Sequence, residues 1–181
     1  WHYHSLNDAL MNYKGYKISH KDHLEKYNGL PTSKKLEMLG IDDLELKEKI
    51  WSMKQEETLK NIKKYGFNDK YKIKMLKRLK EDGYKIACVT NSIRLTAEAM
   101  LEATGQKEYM DLIITNEDVP NNKPSPDCYL LAFQKLNIRY TECIIVEDSP
   151  KGKQAAYASI AKVLEVEDIY DVTYDNISRN I

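Results

Sequence analysis

Three short polar segments in the second half of the chain have residue types that can bind a phosphate group or a metal ion. In the first, Thr90, Asn91 and Ser92 follow an apolar run that ends at Val89. A hydroxyl and backbone N–H groups between a strand and the next helix suit phosphate oxygens, because a helix N-terminus carries unpaired donors. The same residue types also cap ordinary helices, so this segment alone leaves both interpretations open.

The second segment places a lysine within a turn-forming stretch, residues 121–127. Lys123 is held among turn residues and offers a point charge to a phosphoryl oxygen, although a loop lysine is ordinarily just solvated. Ser125 followed by Pro126 is the order typical of an N-cap and the first helical residue. We therefore expect a helix to begin here.

The third segment is an acidic pair, Glu147 and Asp148, directly after another apolar run. Adjacent carboxylates repel each other unless a cation lies beside them. Oxygen ligands without a Cys or His cluster favour Mg²⁺ over Zn²⁺. The alternative is that Asp148 caps a helix beside a surface glutamate.

Alternating helix and strand patterns position these three segments. The predicted order is a helix around residues 73–79, a strand at 85–90, a helix at 95–104, a strand at 112–115, a helix at 126–136, a strand at 144–146, a helix at 152–158 and a strand at 161–166. Such alternation predicts parallel βαβ units and a Rossmann-like, doubly wound α/β core. Ligands bind beyond the carboxyl ends of these strands, where the hydroxyl, the lysine and the acid pair all fall. Together they predict a phosphate site with a metal ion.

The first third of the chain has only helical patterns. Three apolar stripes lie between residues 5 and 65, and the last ends at Gly66, a natural residue to follow a helix. Between the first two stripes, Asn28 and Gly29 indicate a turn, and Thr32 is placed to cap the next helix. We predict a helical domain over residues 1–65 and an α/β core over residues 66–181.

Composition argues against several classes of protein. The chain has 28 basic and 28 acidic residues and a formal net charge of zero. Without a block of like charges it has no field suited to nucleic acid or an anionic membrane. No apolar run approaches the roughly 18 residues of a membrane span, and three separated cysteines indicate neither a disulfide framework nor a zinc site. We expect a cytoplasmic protein, a monomer or weak homodimer, whose partner is a small phosphorylated substrate.

Taken together, the segments resemble the haloacid dehalogenase (HAD) superfamily of aspartate-nucleophile phosphohydrolases, in particular its β-phosphoglucomutase-like branch with a helical cap. Residues 89–92 resemble the second family motif, 123–127 the third and 145–152 the fourth, while residues 1–65 resemble the cap inserted into the core. The resemblance implies a Mg²⁺-dependent phosphatase that acts on a small phosphorylated metabolite, expected to be a sugar phosphate, through an aspartyl-phosphate intermediate.

The resemblance also implies roles for individual residues. Asp148 would be the Mg²⁺ ligand, with Glu147 as a co-ligand or as its hydrogen-bonding neighbour. Thr90, Asn91 and Lys123 would hold the phosphoryl oxygens. The remaining implied contacts are Ser92 and Arg94 near the leaving group, and Asn28, Gly29 and Thr32 in the cap, where a purely structural turn is an equal alternative.

The first family motif, Asp-x-Asp-Gly-Thr or Asp-x-Asp-Gly-Val, is missing from this sequence. Its first aspartate is the family's nucleophile, its second is the general acid/base, and its strand would lie centrally, between the strands that end at Val146 and Val89. We expect the natural polypeptide to be longer at its N-terminus, and the present chain alone to be inactive. Two other functions stay open. One is a sugar phosphomutase, and the other is a non-catalytic HAD-like module if the chain truly begins at Trp1.

Overall fold

The computed structural model describes all of residues 1–181. They form two compact units, Trp1–Gly66 and Phe67–Ile181, which we call the cap unit and the core unit. None of the helices has the length and apolar character needed to cross a membrane.

Helices build the cap unit around a small apolar core. Leu6, Leu10, Leu36 and Ile50 are buried in that core, which explains why their helical spacing is visible in the sequence. The longest helix packs on the first one. The elements are α1 (His2–Lys14), α2 (His20–Asp22), a π-helical segment (His23–Tyr27), α3 (Thr32–Met38) and α4 (Leu44–Tyr65).

Two helix ends in the cap unit differ from the prediction. Thr32 is the first residue of α3 and not its cap, because the helix begins earlier and Pro31, which has no N–H to satisfy, occupies the cap position. Gly66 follows α4 with a φ of −65°, so it does not adopt the left-handed conformation that a glycine at a helix end often supplies. The two short segments between residues 20 and 27 contain too few turns to produce a periodic pattern, so the sequence does not predict them.

The core unit has the predicted alternation of helices and short strands. Its α/β class is the one expected from the sequence. The elements are α5 (Lys70–Glu81), β1 (Ala87–Val89), α6 (Arg94–Ala103), β2 (Leu112–Ile114), α7 (Asp127–Leu136), β3 (Ile144–Glu147), α8 (Pro150–Ala158), β4 (Lys162–Glu165) and α9 (Tyr174–Ser178). The five-residue α9 was not predicted.

All strand pairing is parallel, in two pairs. β1 pairs with β2, with Val89 opposite Ile114, and β3 pairs with β4, with Glu147 opposite Glu165. No backbone ladder joins one pair to the other. Each of β1 and β3 therefore keeps one edge that no strand of this chain pairs with.

The helix starts nearest the polar segments also need correction. Ser125 does not cap α7; Pro126 holds the cap position, and the Ser125 hydroxyl donates to Asp127 Oδ1 at 2.6 Å. The cap of α8 is Ser149, whose hydroxyl accepts from the Gly152 N–H at 3.1 Å. Asp148 is therefore not a helix cap, which removes the structural alternative for that carboxylate.

Candidate functional site

The site is centred on Lys123, which reaches the ends of two strands that do not pair with each other. Its Nζ donates to the Val89 carbonyl oxygen, the last residue of β1, at 2.9 Å. It also donates to Oε1 of Glu147, the last residue of β3. The two side chains are 8% and 9% exposed, so this is a buried ion pair. Lys123 therefore links the carboxyl ends of β1 and β3.

Glu147 is held from several sides, and this fixes the direction of its carboxylate. Tyr129, in the first turn of α7, donates its hydroxyl to the same Oε1 atom. The Ser149 hydroxyl lies 3.3 Å from Oε2. Gly152 of α8 packs directly against the carboxylate, and a Cβ built at that position would overlap it. The glycine at this position is therefore required by the close approach of α8 to Glu147.

Tyr129 was not identified from the sequence as a site residue. An aromatic residue in the first turn of an amphipathic helix predicts only core packing, and Tyr129 is indeed buried. Burial, and then repulsion from the Glu147 carboxylate, raise the pKa of the Tyr129 phenol above its usual value, so the phenol stays protonated and can donate. The ammonium of Lys123 also lies 4.8 Å from the centre of its ring.

Asn91, in the segment after β1, hydrogen-bonds to the backbone of Lys123. The Asn91 side-chain amide donates to the Lys123 carbonyl oxygen at 3.2 Å and accepts from the Lys123 N–H at 3.1 Å. The Thr90 hydroxyl accepts from the Ser92 N–H at 3.1 Å, which turns the backbone towards the next helix. Thr90, Asn91, Lys123 and Glu147 are thus brought together at one end of the strands.

Arg94 is not brought into this group. Its guanidinium donates to Asp118 Oδ2 at 2.6 Å and to Glu98 Oε1 at 3.3 Å. These carboxylates raise the pKa of Arg94 and hold it on α6 and the loop after β2. The Ser92 N–H donates to the Thr90 hydroxyl, and the Ser92 carbonyl oxygen accepts from the Asn116 N–H at 3.2 Å. The geometry thus gives Arg94 a role within its own loop.

The predicted cap contacts lie together at the start of α3. Gly29 has a φ of +73°, and the Leu30 N–H donates to the Tyr27 carbonyl oxygen at 3.2 Å, so the Asn28–Gly29 turn forms. Asn28 and Thr32 are half-buried on either side of it. These residues belong to the cap unit and the other candidates to the core unit.

Of the acid pair, the Asp148 carboxylate is the one placed to bind a hard cation, because the Glu147 carboxylate is engaged by Lys123, Tyr129 and Ser149. Asp148 follows Glu147 directly and is exposed, so its oxygens are free to bind an ion, and no side-chain hydrogen bond occupies it. Mg²⁺ is commonly held by one or two carboxylates, with water and substrate phosphate completing its octahedral shell. The chain contains no group of three or more His, Cys, Asp or Glu side chains that would hold a metal by itself. The residues present are therefore suited to a partly open Mg²⁺ site.

The structure thus has a parallel α/β core with a lysine, an amide and an acid pair at the carboxyl ends of its strands. The sequence profile of the haloacid dehalogenase-like hydrolase family matches residues 1–166. The chain belongs to this family, and the membership predicted from the three motifs is confirmed.

Parts of the chain are similar in sequence to proteins named as phosphatases. It is 35% identical over 81 residues to the fructose-1-phosphate phosphatase YqaB of Escherichia coli, an alignment that covers 45% of this chain and 43% of that protein. It is 28% identical over 151 residues to a phosphorylated carbohydrates phosphatase of Thermotoga maritima, covering 81% of this chain and 66% of that protein. The chain thus spans less than half the length of the first relative and about two thirds of the second.

Two solved structures show the same fold. β-Phosphoglucomutase of Clostridium difficile superposes with a TM-score of 0.83 at 20% identity, covering 99% of this chain and 88% of that one. CbbY of Rhodobacter sphaeroides superposes with a TM-score of 0.82 at 18% identity, covering 93% of this chain and 80% of that one. These similarities support the Rossmann-like core with a helical cap.

Proposed function

We propose that the protein containing this chain is a Mg²⁺-dependent phosphohydrolase that acts on a small phosphorylated metabolite of the sugar-phosphate type. The observation that carries the proposal is the position of Lys123, buried at the ends of β1 and β3 beside the Thr90–Ser92 segment and next to the acid pair. Relatives named as phosphatases of fructose 1-phosphate and of phosphorylated carbohydrates support the substrate type.

Each residue has a distinct part in the proposed reaction. Asp148 would bind Mg²⁺, and Glu147 would orient the Lys123 ammonium towards the phosphoryl oxygens. Thr90 would donate its hydroxyl and Asn91 its backbone N–H to the same group. Bound Mg²⁺ would supply a further positive charge to the phosphoryl oxygens. Fixed charges of this kind stabilise the transition state, and removal of one costs on the order of 10² to 10³ in rate.

The nucleophile would be an aspartate outside these 181 residues, which contain no Asp-x-Asp pair. Its carboxylate oxygen would bond to phosphorus while the ester P–O bond breaks, and the second aspartate of that motif would protonate the leaving oxygen. Water would then hydrolyse the aspartyl-phosphate. We propose that this motif lies on a strand that pairs with the free edges of β1 and β3, since unpaired backbone groups within a sheet are unfavourable.

The test compares this chain with the polypeptide read from the coding sequence upstream of Trp1. We expect the longer protein to release phosphate from sugar phosphates and the 181-residue chain to be inactive. In the longer protein, Asp148→Asn should lower kcat by on the order of 10² or more and weaken the Mg²⁺ requirement. Asp175→Asn, an exposed acid of α9, is the matched control and should leave the rate unchanged.

Two results would overturn the proposal. One is full activity in Asp148→Asn, and the other is phosphate release by the 181-residue chain alone. Analysis of the sugar products separates hydrolysis from transfer to another hydroxyl, the phosphomutase alternative. The cytoplasmic location and the monomeric or weakly dimeric state stay predictions, and size-exclusion chromatography would test the latter.

A further inference from the structure

Tyr129 contacts Lys123 and the counter-charge of Lys123 at the same time. Its hydroxyl donates to Oε1 of Glu147, and the Lys123 ammonium donates to that same oxygen. The ammonium also lies 4.8 Å from the centre of the Tyr129 ring. All three side chains are buried, so these contacts are made in a medium of low dielectric constant, where they are strong. The position of the ammonium therefore depends on both the hydroxyl and the ring of Tyr129.

The hydrogen bonds of the Lys123 ammonium leave one donor for a ligand. A lysine ammonium has three N–H groups. One donates to the Val89 carbonyl oxygen at 2.9 Å, and one donates to Oε1 of Glu147. The third N–H is then available to a phosphoryl oxygen, provided that the ammonium stays between these two acceptors. A shift of the ammonium towards Glu147 would turn this donor away from the ligand.

The Tyr129 hydroxyl limits how strongly Glu147 attracts the ammonium. Because Oε1 also accepts from the phenol, part of the negative charge on this oxygen is balanced by a second donor. Without the hydroxyl, the Lys123 ammonium would be the only donor to Oε1 and would be drawn closer to it, since attraction is strong in a buried site. The face of the Tyr129 ring is a second restraint, because it attracts the cation from another side.

The chain contains a second Lys–Glu–Tyr group that provides a comparison. Glu165 ends β4 directly opposite Glu147 in the parallel register. It accepts from the Tyr157 hydroxyl at Oε1 and pairs with Lys153 through Oε2 at 2.8 Å. Tyr157 and Glu165 are exposed, and the two donors use different oxygens. Only in the buried group do the hydroxyl and the ammonium share one acceptor.

We propose that Tyr129 is a positioning residue of the site: through Oε1 of Glu147 and through its ring, it holds the Lys123 ammonium where the third N–H reaches the transferred phosphoryl group. The consequence for catalysis rests on the proposed phosphohydrolase function. The position of the ammonium within the core unit does not depend on that function, so the two are tested separately. A tyrosine that only filled the core would be replaceable by phenylalanine without any effect on Lys123.

The first experiment observes the Lys123 ammonium directly, by proton–nitrogen NMR of the lysine side chains in the full polypeptide. Its signal is assigned from its loss in Lys123→Arg. We expect Tyr129→Phe to shift this signal clearly. Tyr157→Phe removes the corresponding hydroxyl from the surface group and should leave the Lys123 signal unchanged. An unchanged Lys123 signal in Tyr129→Phe would overturn the proposal.

A measurement on the unsubstituted protein keeps the proposal testable if Tyr129→Phe does not fold. Because the phenol and the ammonium donate to one oxygen, the phenolic proton of Tyr129 lies close to the ammonium protons of Lys123. We expect a downfield hydroxyl proton signal with a nuclear Overhauser effect to the ammonium. A Lys123 ammonium signal without that contact would show that the two donors do not share Oε1, and would overturn the proposal.

The second experiment measures the release of phosphate from fructose 1-phosphate by the full polypeptide, at a temperature where circular dichroism shows every variant to be folded. We expect Tyr129→Phe to lower kcat by about tenfold, which is less than the loss of a whole charge costs. The KM should change by less than about twofold, because a misplaced donor acts mainly on the transition state. Tyr157→Phe should leave both quantities as in the parent.

The outcomes separate this inference from the proposed function. An unchanged kcat in Tyr129→Phe, with a loss of stability alone, would overturn the positioning role and leave the phosphatase function standing. A raised KM with unchanged kcat would also contradict it, because the ammonium would then act equally on the ground state and the transition state. A parent protein that releases no phosphate from any sugar phosphate would contradict the function, and the Lys123 ammonium signal would still decide whether Tyr129 positions that side chain.

Discussion

Because Lys123 and Glu147 form a buried ion pair, substitution of either one changes the stability of the core unit as well as its activity. Lys123 lies in a loop, where a lysine is ordinarily solvated, but in the structure it is the counter-charge of the buried Glu147 carboxylate. Breaking a buried pair by removing one partner typically destabilises a protein by about 3–5 kcal/mol, because the other charge is left uncompensated. Lys123→Ala would therefore reduce stability as well as activity, and Asp148, which is exposed, is the cleaner position at which to test the chemistry.

Tyr129 provides a stability test of the same carboxylate. Tyr129→Phe keeps the ring under Lys123 and removes only the hydroxyl that donates to Glu147. We expect a loss of about 1.5–3 kcal/mol in the free energy of unfolding, as for a buried hydrogen bond to a charged group. Urea unfolding followed by circular dichroism measures it.

Tyr157→Phe is the matched control for Tyr129→Phe. Its hydroxyl also donates to a glutamate, Glu165, but on the exposed surface of the core unit. The expected change is within about 0.5 kcal/mol, as is usual for surface substitutions. If the two variants lose the same stability, the Tyr129 hydroxyl does not hold Glu147 in the way described.

At the scale of elements, the start of α8 is fitted to the end of β3. Ser149 caps the helix, and Gly152 allows its first turn to touch the Glu147 carboxylate. A glycine inside a helix normally weakens it by up to about 1 kcal/mol relative to alanine. Its presence here is explained by the absence of room for a Cβ.

Gly152→Ala tests this fit in the longer, active protein. Alanine would favour the helix in isolation, yet its Cβ would displace Glu147 and with it the Lys123 ammonium. We expect lower stability, by about 1–3 kcal/mol as for an overpacked interior, together with a fall in kcat. Gln154→Ala, an exposed position of the same helix, should leave both quantities nearly unchanged. A Gly152→Ala variant as stable and active as the parent would show that α8 has room to shift.

The fold class and the family could be predicted from the sequence, whereas the exact starts of the helices could not. Alternating apolar runs predicted the α/β class, and the order of a hydroxyl, a lysine and an acid pair predicted the family. Helix starts were less predictable: Thr32 and Ser125 are good caps by type, but the proline beside each occupies the cap position instead. Such one-residue differences depend on the path of the preceding loop, which no local pattern records.

At the scale of the whole molecule, a formal net charge of zero does not reveal which charged side chains are buried. The charge balance could not show that Lys35 in α3 and Lys54 in α4 are buried in the cap unit. Lysine is rarely buried without a partner, so sequence patterns assign it to solvent by default. Lys54 was missed for this reason, although it lies on the same face of α4 as Ile50 and Thr58.

The burial of Lys35 and Lys54 makes the stability of the cap unit depend on pH in the alkaline range. The pKa of Lys35 and of Lys54 is lowered from 10.5 to about 8. Between these values the unfolded chain binds more protons than the folded one, so the free energy of unfolding rises with pH. Below about pH 8 both states are protonated and the full unfavourable contribution is present.

We expect urea midpoints, followed by tryptophan fluorescence, to rise from pH 8 towards pH 10.5. Trp1 and Trp51 both lie in the cap unit, so the signal reports this unit alone. In the double variant Lys35→Met/Lys54→Met the rise should disappear, and stability near pH 7 should exceed that of the parent. Lys34→Met/Lys60→Met should keep the rise, because those lysines are exposed and paired. A flat parent profile, or an equal rise in both double variants, would mean that burial of Lys35 and Lys54 does not lower their pKa values in the folded cap unit.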